Sequence, residues 1–127
     1  MAFDWAAPHP RFEHRPSGRR TGVPATFAAV NADLLAIGLD DDPFGTVPAI
    51  ERLLDYFTGS RRTHWRIAPG DVGAEAIGHF AFFHSRFQHT LWPVARAWLA
   101  TGDLPPGTPG QDQRRKRPSG PTMDRSA

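Results

Sequence analysis

The chain has 127 residues, a formal net charge of +2 and no cysteine. The lack of cysteine excludes disulfides, thiolate metal sites and a cysteine nucleophile, and the length falls short of the roughly 200 residues that α/β enzymes with a complete active site usually need. Because no apolar segment reaches the roughly 18–20 residues that span a bilayer, and the first five residues carry no targeting signal, we expect a cytoplasmic protein without a membrane interaction.

Residues 1–25 form a leader rich in proline and arginine. Prolines at positions 8, 10, 16 and 24 prevent a long helix and would remove hydrogen-bond donors from a central strand. Three aromatic residues, Phe3, Trp5 and Phe12, are apolar enough to dock on another part of a fold. We expect a disordered or poorly packed leader, followed by a short turn over residues 26–31.

An apolar run from Leu34 to Leu39 stops at three consecutive aspartates. A continuous run of this length is typical of a strand covered on both faces, as in a parallel sheet flanked by helices. Asp40, Asp41 and Asp42 then follow the carboxyl end of the strand, where open α/β sheets keep their sites. Because like charges repel, we expect one carboxylate to face inward and the other two to be solvated.

The next two elements complete a βαβ unit. Apolar residues at positions 47, 50, 53, 54 and 57 form one stripe of a helix over 46–58, which Thr46 can cap. Alternation over residues 63–68 predicts a strand at an edge of the sheet, with Trp65 and Ile67 on one face and His64 on the other. A strand, a helix and a strand in this order predict a right-handed crossover.

A loop after the second strand delivers His79, and Gly78 frees the backbone just before the imidazole. The aromatic residues at positions 80, 82, 83 and 87 are expected to belong to the core. An amphipathic helix follows over about residues 90–100, with Thr90 as its cap. An acid after the first strand and this imidazole could therefore meet along one edge of the sheet.

Residues 102–127 are expected to be a disordered basic tail. Residues 111–127 contain five basic and two acidic residues, a net charge of +3, whereas residues 1–110 contain ten basic and eleven acidic residues, a net charge of −1. The basicity thus belongs to the tail, and a short basic cluster in a tail is most often only solvated. Nucleic-acid binding through the tail is the less favoured alternative.

Several short motifs in this order resemble the last third of an α/β-hydrolase. They are Asp-Asp-Pro-Phe-Gly-Thr at 41–46, Arg-Ile-Ala-Pro at 66–69, Ile-Gly-His-Phe-Ala-Phe-Phe at 77–83 and Leu-Trp-Pro at 91–93. They are similar to a group of bacterial α/β-hydrolases related to serine aminopeptidases and esterases. The resemblance covers residues 26–101, and residues 5–12 are similar to part of a lid. It implies an α/β fold, specifically a partial α/β-hydrolase fold with the last βαβ unit and the carboxyl-terminal helix.

The resemblance also implies catalytic roles for three residues. His79 would be the general base, and Asp42 would orient the imidazole and stabilise its charged form, with Asp41 as the second choice for the acid. The substrate of the complete fold would be a small-molecule ester or amide. We expect no cofactor and no metal, because the histidines at 79, 84 and 89 are spaced by five and do not stack on one helix face.

The nucleophile of the triad is missing from this sequence. In this fold the serine precedes the acid in a Gly-x-Ser-x-Gly elbow, and none of the five serines stands in such a motif. Three interpretations remain. The chain is a truncated hydrolase that is inactive alone, a non-catalytic remnant that self-associates through exposed sheet edges, or a small basic nucleic-acid binder.

Overall fold

The computed structural model describes residues 22–115, and the expectations for residues 1–21 and 116–127 lie outside the described residues. The helices are α1 (Val23–Ala28), α2 (Val47–Leu54) and α3 (Trp92–Thr101), and the strands are β1 (Leu34–Leu39), β2 (Arg62–Ile67) and β3 (Gln111–Asp112). Short 3₁₀ turns occupy Pro69–Val72, Ala81–Phe83 and Ser85–Phe87. In the described range no helix is long and apolar enough to cross a membrane.

The three strands form one mixed sheet in the order β1-β2-β3. β1 and β2 are parallel, with Leu34 opposite Arg62 and Leu39 opposite Ile67, and α2 connects them. β3 pairs antiparallel with β2. This arrangement of helices on a mixed sheet is a small α/β fold, as the sequence predicts.

The prediction that β2 lies at an edge of the sheet is wrong, because β2 is the middle strand. Residues 104–115, which were expected to be disordered, fold back on it. The Trp65 indole donates a hydrogen bond to the carbonyl of Pro109 (2.7 Å), and the amide of Gln113 donates to the carbonyl of His64 (2.9 Å). The tail thus satisfies polar groups of β2 that would otherwise lack a partner.

Local signals fix the ends of the helices. Thr46 caps α2, since its hydroxyl accepts a hydrogen bond from the amide of Ala49 (3.4 Å). The expected capping of α3 by Thr90 is wrong, because that hydroxyl donates to the carbonyl of Phe87 and α3 begins only at Trp92. Gly102, with φ of 77°, ends α3 in the left-handed conformation that glycine adopts without strain.

The core lies between the sheet and α3. Its members are Leu39, Trp65, Ile67, Ile77, Phe82, Phe87, Leu91 and Val94. The predicted faces of β2 are confirmed, since Trp65 and Ile67 lie in this core while His64 lies on the face covered by α2. Two of the four aromatic residues predicted in the core are not there: Phe80 and Phe83 are 81% and 78% exposed.

Candidate active site at the carboxyl ends of β1 and β2

The three consecutive aspartates after β1 have three different partners. Asp40 accepts a hydrogen bond from the guanidinium of Arg66. Asp41 accepts backbone hydrogen bonds from the loop that carries His79, and Asp42 contacts the ring of His79 itself. The prediction that one carboxylate faces inward is confirmed, since only Asp42 is buried. Asp40 and Asp41 are exposed to solvent, and both also form hydrogen bonds within the protein. Each carboxylate thus accepts hydrogen bonds from a different donor. These bonds stabilise the negative charges, so the three aspartates can remain ionised side by side.

The pairing of Asp42 with His79 is the centre of the site. Oδ2 of Asp42 lies 2.7 Å from Nδ1 of His79, and Oδ1 accepts a hydrogen bond from the amide of Phe44 at 2.9 Å. The Asp42 side chain is 9% exposed and the imidazole 39% exposed. Because an ionised carboxylate only accepts hydrogen bonds, the neutral ring carries its proton on Nδ1 and leaves Nε2 as its acceptor.

Asp41 holds the loop that presents the imidazole. Its Oδ2 accepts hydrogen bonds from the amides of Ile77 (2.7 Å) and Gly78 (2.9 Å). Gly78 has φ of 73°, so the chain turns there in a conformation that a side chain would strain. Asp41 therefore positions His79 through the backbone, while Asp42 orients the ring directly.

A glycine leaves room for the buried carboxylate. A Cβ added at Gly45 would come within 2.5 Å of Oδ2 of Asp42, closer than van der Waals contact allows. The carbonyl of Gly45 also accepts a hydrogen bond from Arg66 (2.6 Å), whose guanidinium is bound to Asp40 as well. Arg66 thus ties the turn after β1 to β2 and fixes the position from which Asp42 reaches His79.

The environment of Asp42 favours its ionised form. Burial alone would raise the pKa of this carboxyl, but the hydrogen bonds from His79 and from the amides of Phe44 and Gly45, with the charge of the imidazolium, hold the pKa below its ordinary value of 3.8. A carboxylate that stays ionised is what the orientation and charge stabilisation of an imidazole require.

The lowered pKa of Asp42 predicts a specific acid sensitivity. A group with a depressed folded-state pKa contributes stability above its unfolded pKa, and the contribution is lost as the pH falls through the folded pKa. We expect the wild-type protein to lose stability below about pH 4 more steeply than Asp42→Asn, in urea unfolding at a series of pH values. Glu75→Gln, at an exposed position, serves as the control and should follow the wild type. Parallel curves for wild type and Asp42→Asn would contradict this assignment.

Exposed aromatic rings surround the imidazole. The ring of Phe80 lies 4.5 Å from that of His79 and the ring of Phe44 lies 5.4 Å from it, both edge to face. Phe44 is 71% exposed, and Phe83 stands one turn beyond Phe80. Apolar side chains grouped around a polar centre are typical of a surface that contacts a ligand or another polypeptide.

The described residues bring no nucleophile to His79. Ser60 is buried and donates its hydroxyl to the carbonyl of Val30 (2.8 Å), and no hydrogen bond joins Ser85 to His79. Among residues 22–115 no three metal-ligating side chains converge. The described part of the site therefore consists of an oriented imidazole without a group for it to activate.

A second carboxylate–histidine pair escaped the sequence analysis. His64 is fully buried, its Nδ1 lies 2.6 Å from Oε1 of Glu51, and Oε2 of Glu51 binds Arg114 at 2.8 Å. The partners come from β2, α2 and the segment after β3, so no local spacing in the sequence could reveal the cluster. It joins the tail segment to α2.

No family model, curated protein or solved structure matches this chain. The resemblance to α/β-hydrolases is one of short sequence motifs, and no known protein supports it.

Proposed function

We propose that this chain carries the acid–histidine half of a serine-dependent α/β-hydrolase. The observation that carries the proposal is the 2.7 Å contact between Oδ2 of Asp42 and Nδ1 of His79 at the carboxyl ends of two parallel strands. The substrate of the complete site is a small-molecule ester or amide. The nucleophilic serine, in its glycine-flanked elbow, is supplied by polypeptide other than residues 1–127.

The roles of the two side chains follow from their protonation states. With its proton held on Nδ1, His79 has Nε2 available to take the proton of a serine hydroxyl as that oxygen attacks the carbonyl carbon. The resulting imidazolium is stabilised by Asp42, whose pKa is already lowered. The imidazolium then returns the proton to the leaving alcohol or amine. The pair by itself has nothing to activate, so residues 1–127 alone are expected to give no turnover.

Ester hydrolysis by the chain extended at its amino end tests the proposal. The reading frame continued upstream of Met1 should contain a strand followed by Gly-x-Ser-x-Gly, and its product should hydrolyse p-nitrophenyl esters. His79→Ala should lower kcat by about six orders of magnitude, as loss of the base does in serine hydrolases. His89→Ala replaces an exposed histidine ten residues further on and should leave kcat unchanged.

Two results would overturn this function. One is an upstream frame without a serine elbow, and the other is turnover that His79→Ala and His89→Ala leave equally intact. A fluorophosphonate probe adds a direct readout, because it labels an activated serine. Labelling of the elbow serine should disappear in His79→Ala, since the base that activates the hydroxyl is gone.

A non-catalytic interaction protein is the second candidate. It is favoured by the exposed rings of Phe44 and Phe80, which contact His79 without any nucleophile among the described residues. The same ester assay separates it from the hydrolase, because an interaction surface predicts no dependence on His79. Arg114 is paired with Glu51 and Asp55, but Lys116, Arg117 and Arg125 lie outside the described residues, so nucleic-acid binding through the tail stays an untested alternative.

A further inference from the structure

β1 is an edge strand of the described sheet, although its sequence is that of an interior strand. Edge strands in natural proteins are usually protected by charged residues, prolines or bulges. β1 reads Leu-Leu-Ala-Ile-Gly-Leu and has none of these, and its backbone pairs with β2 on one side only. The opposite edge of the sheet is β3, a strand of only two residues.

Hydrogen bonds to β2 show which backbone groups of β1 face the open edge. The amide of Leu34 donates to the carbonyl of Arg61 and that of Asp40 to the carbonyl of Ile67, both at 2.9 Å. Because successive residues of a strand direct their N–H and C=O groups to opposite sides, the even-numbered residues of β1 bond to β2. The amides of Leu35, Ile37 and Leu39 therefore point to the open edge, and within residues 22–115 no strand pairs with them.

An exposed leucine of α2 stands beside the same edge. Successive residues of a helix are separated by about 100°, so Glu51 and Leu53 lie on opposite flanks of the face that buries Leu54. Glu51 contacts His64 and Arg114, which places its flank over β2 and β3. Leu53, 58% exposed, consequently lies on the flank next to the open edge of β1.

We propose that β1 pairs antiparallel with β1 of a second copy of this chain, about a two-fold axis at Ile37. The three residues that face the open edge are centred on Ile37, so the pattern is complementary to itself. Ile37 meets the partner's Ile37, and Leu35 meets the partner's Leu39. The ladder continues the sheet to six strands, and the two α2 helices become neighbours on one face, covering Leu53.

The charges next to β1 permit this register. Asp33 comes opposite the partner's Asp41, but Asp33 is ion-paired with Arg61 (2.7 Å) and Asp41 is bound by two backbone amides. The other edge of each sheet is β3, which has only two residues, and so short an edge strand is a poor template for further pairing; the assembly therefore closes as a dimer and does not extend as a fibre. The two His79 rings lie at opposite ends of the shared ladder and stay accessible.

This dimer goes beyond the proposed function and does not depend on it. In the upstream-extended protein of the proposed function the sheet would continue through this same edge, so the dimer is proposed for residues 1–127 on their own. Dimerisation can be measured without any substrate, whereas the hydrolase proposal is judged by ester turnover alone. Failure of one proposal therefore leaves the other standing.

A distance between spin labels tests the dimer in the otherwise intact chain. The protein has no cysteine, so Arg52→Cys, at an exposed position of α2, gives a single labelling site. Helices that are neighbours on one face of a sheet lie about 10 Å apart, so we expect one label-to-label distance on the order of 20–30 Å by pulsed electron resonance. The absence of dipolar coupling, or a single distance well beyond that range, would overturn the proposal.

Two variants identify the interface. Leu53→Glu should raise the dimer dissociation constant about tenfold or more in sedimentation equilibrium, because it places a charge where the dimer would cover a leucine. Arg52→Glu, on the solvent side of α2, should leave the dissociation constant unchanged. Ile37→Pro removes an amide that faces the open edge without removing a bond to β2, and should give a folded monomer. A dimer insensitive to Leu53→Glu, or open-ended oligomers, would contradict the model.

Hydrogen exchange of the wild-type protein provides a test without substitution. In the dimer the amides of Leu35 and Ile37 should exchange as slowly as those of Ala36 and Gly38, which bond to β2. In a monomer the protection would alternate along β1, with fast exchange at the odd-numbered residues. An alternating pattern at a concentration where the protein sediments as a dimer would place the interface elsewhere and overturn the proposal.

Discussion

Replacement of Asp42 by asparagine is expected to reverse which nitrogen of the neutral His79 ring carries the proton. The carboxylate accepts from Nδ1 of His79 and from the amide of Phe44. In the variant, one of these two positions becomes an NH₂ donor. The amide of Phe44 is a fixed donor, so the NH₂ must face the imidazole. The ring then accepts at Nδ1 and holds its proton on Nε2.

The reversed tautomer would abolish the function proposed for His79. A protonated Nε2 cannot take a proton from a serine, and the corresponding change in serine hydrolases lowers kcat by about four orders of magnitude. In residues 1–127 alone the tautomer can be read from the ¹⁵N chemical shifts of the ring. In the upstream-extended protein the same variant should lower kcat of ester hydrolysis by that factor.

Asp41→Asn is the matched control, since it removes an equal charge one residue away. Asp41 uses a single oxygen to accept from Ile77 and Gly78, and the amide oxygen of asparagine can take that place. The variant should keep the proton of His79 on Nδ1. If both variants reverse the tautomer, or neither does, the separate roles of Asp41 and Asp42 are wrong.

The sequence predicts the elements around the site because their signals are local. Six apolar residues before an acidic turn gave β1, and alternation of apolar and polar residues gave the two faces of β2. A threonine cap and a proline in the first turn gave the start of α2. Each of these patterns arises from burial or hydrogen bonding among residues that are close in sequence. Such local patterns can be recognised without knowledge of the fold.

Local patterns cannot show which of the three adjacent aspartates contacts His79. Asp40, Asp41 and Asp42 have the same side-chain chemistry and are consecutive in sequence. Their partners are 26, 36 and 37 residues away, so only the fold decides that the third of them meets the imidazole. The resemblance to a hydrolase favoured Asp42, and the geometry brings that carboxylate to His79. The catalytic role of the pair stays a prediction.

Two of the wrong predictions, on the tail and on the aromatic residues, show what local patterns cannot report. The tail was expected to be disordered because it lacks apolar residues, yet Trp65 needs an acceptor for its indole N–H, and Pro109 provides it 44 residues later. Phe80 and Phe83 were expected in the core because they are aromatic. In the short 3₁₀ turn only Phe82 points into the core, and its neighbours point to solvent. A contact between residues far apart in sequence decided the first outcome, and the backbone of a three-residue turn decided the second.

Trp65→Ala should be the most destabilising substitution in the described core, lowering the free energy of unfolding by about 3–5 kcal/mol. The side chain is fully buried in the middle strand and packs edge to face on Phe82, with ring centroids 6.2 Å apart. Its removal would leave a cavity and also free the carbonyl of Pro109, which anchors the segment leading to β3. Urea unfolding followed by circular dichroism measures the loss.

The consequences of Trp65→Ala should extend to the tail segment and to His79. β3 pairs with Trp65 directly, so amide exchange in residues 110–113 should become faster than in α2. Phe82 anchors the loop after His79, so the imidazole should also lose its fixed position. Leu99→Ala, at a 78% exposed position of α3, should change stability by less than about 0.5 kcal/mol. Equal losses in the two variants would mean that the indole does not hold β2, the tail segment and the His79 loop together.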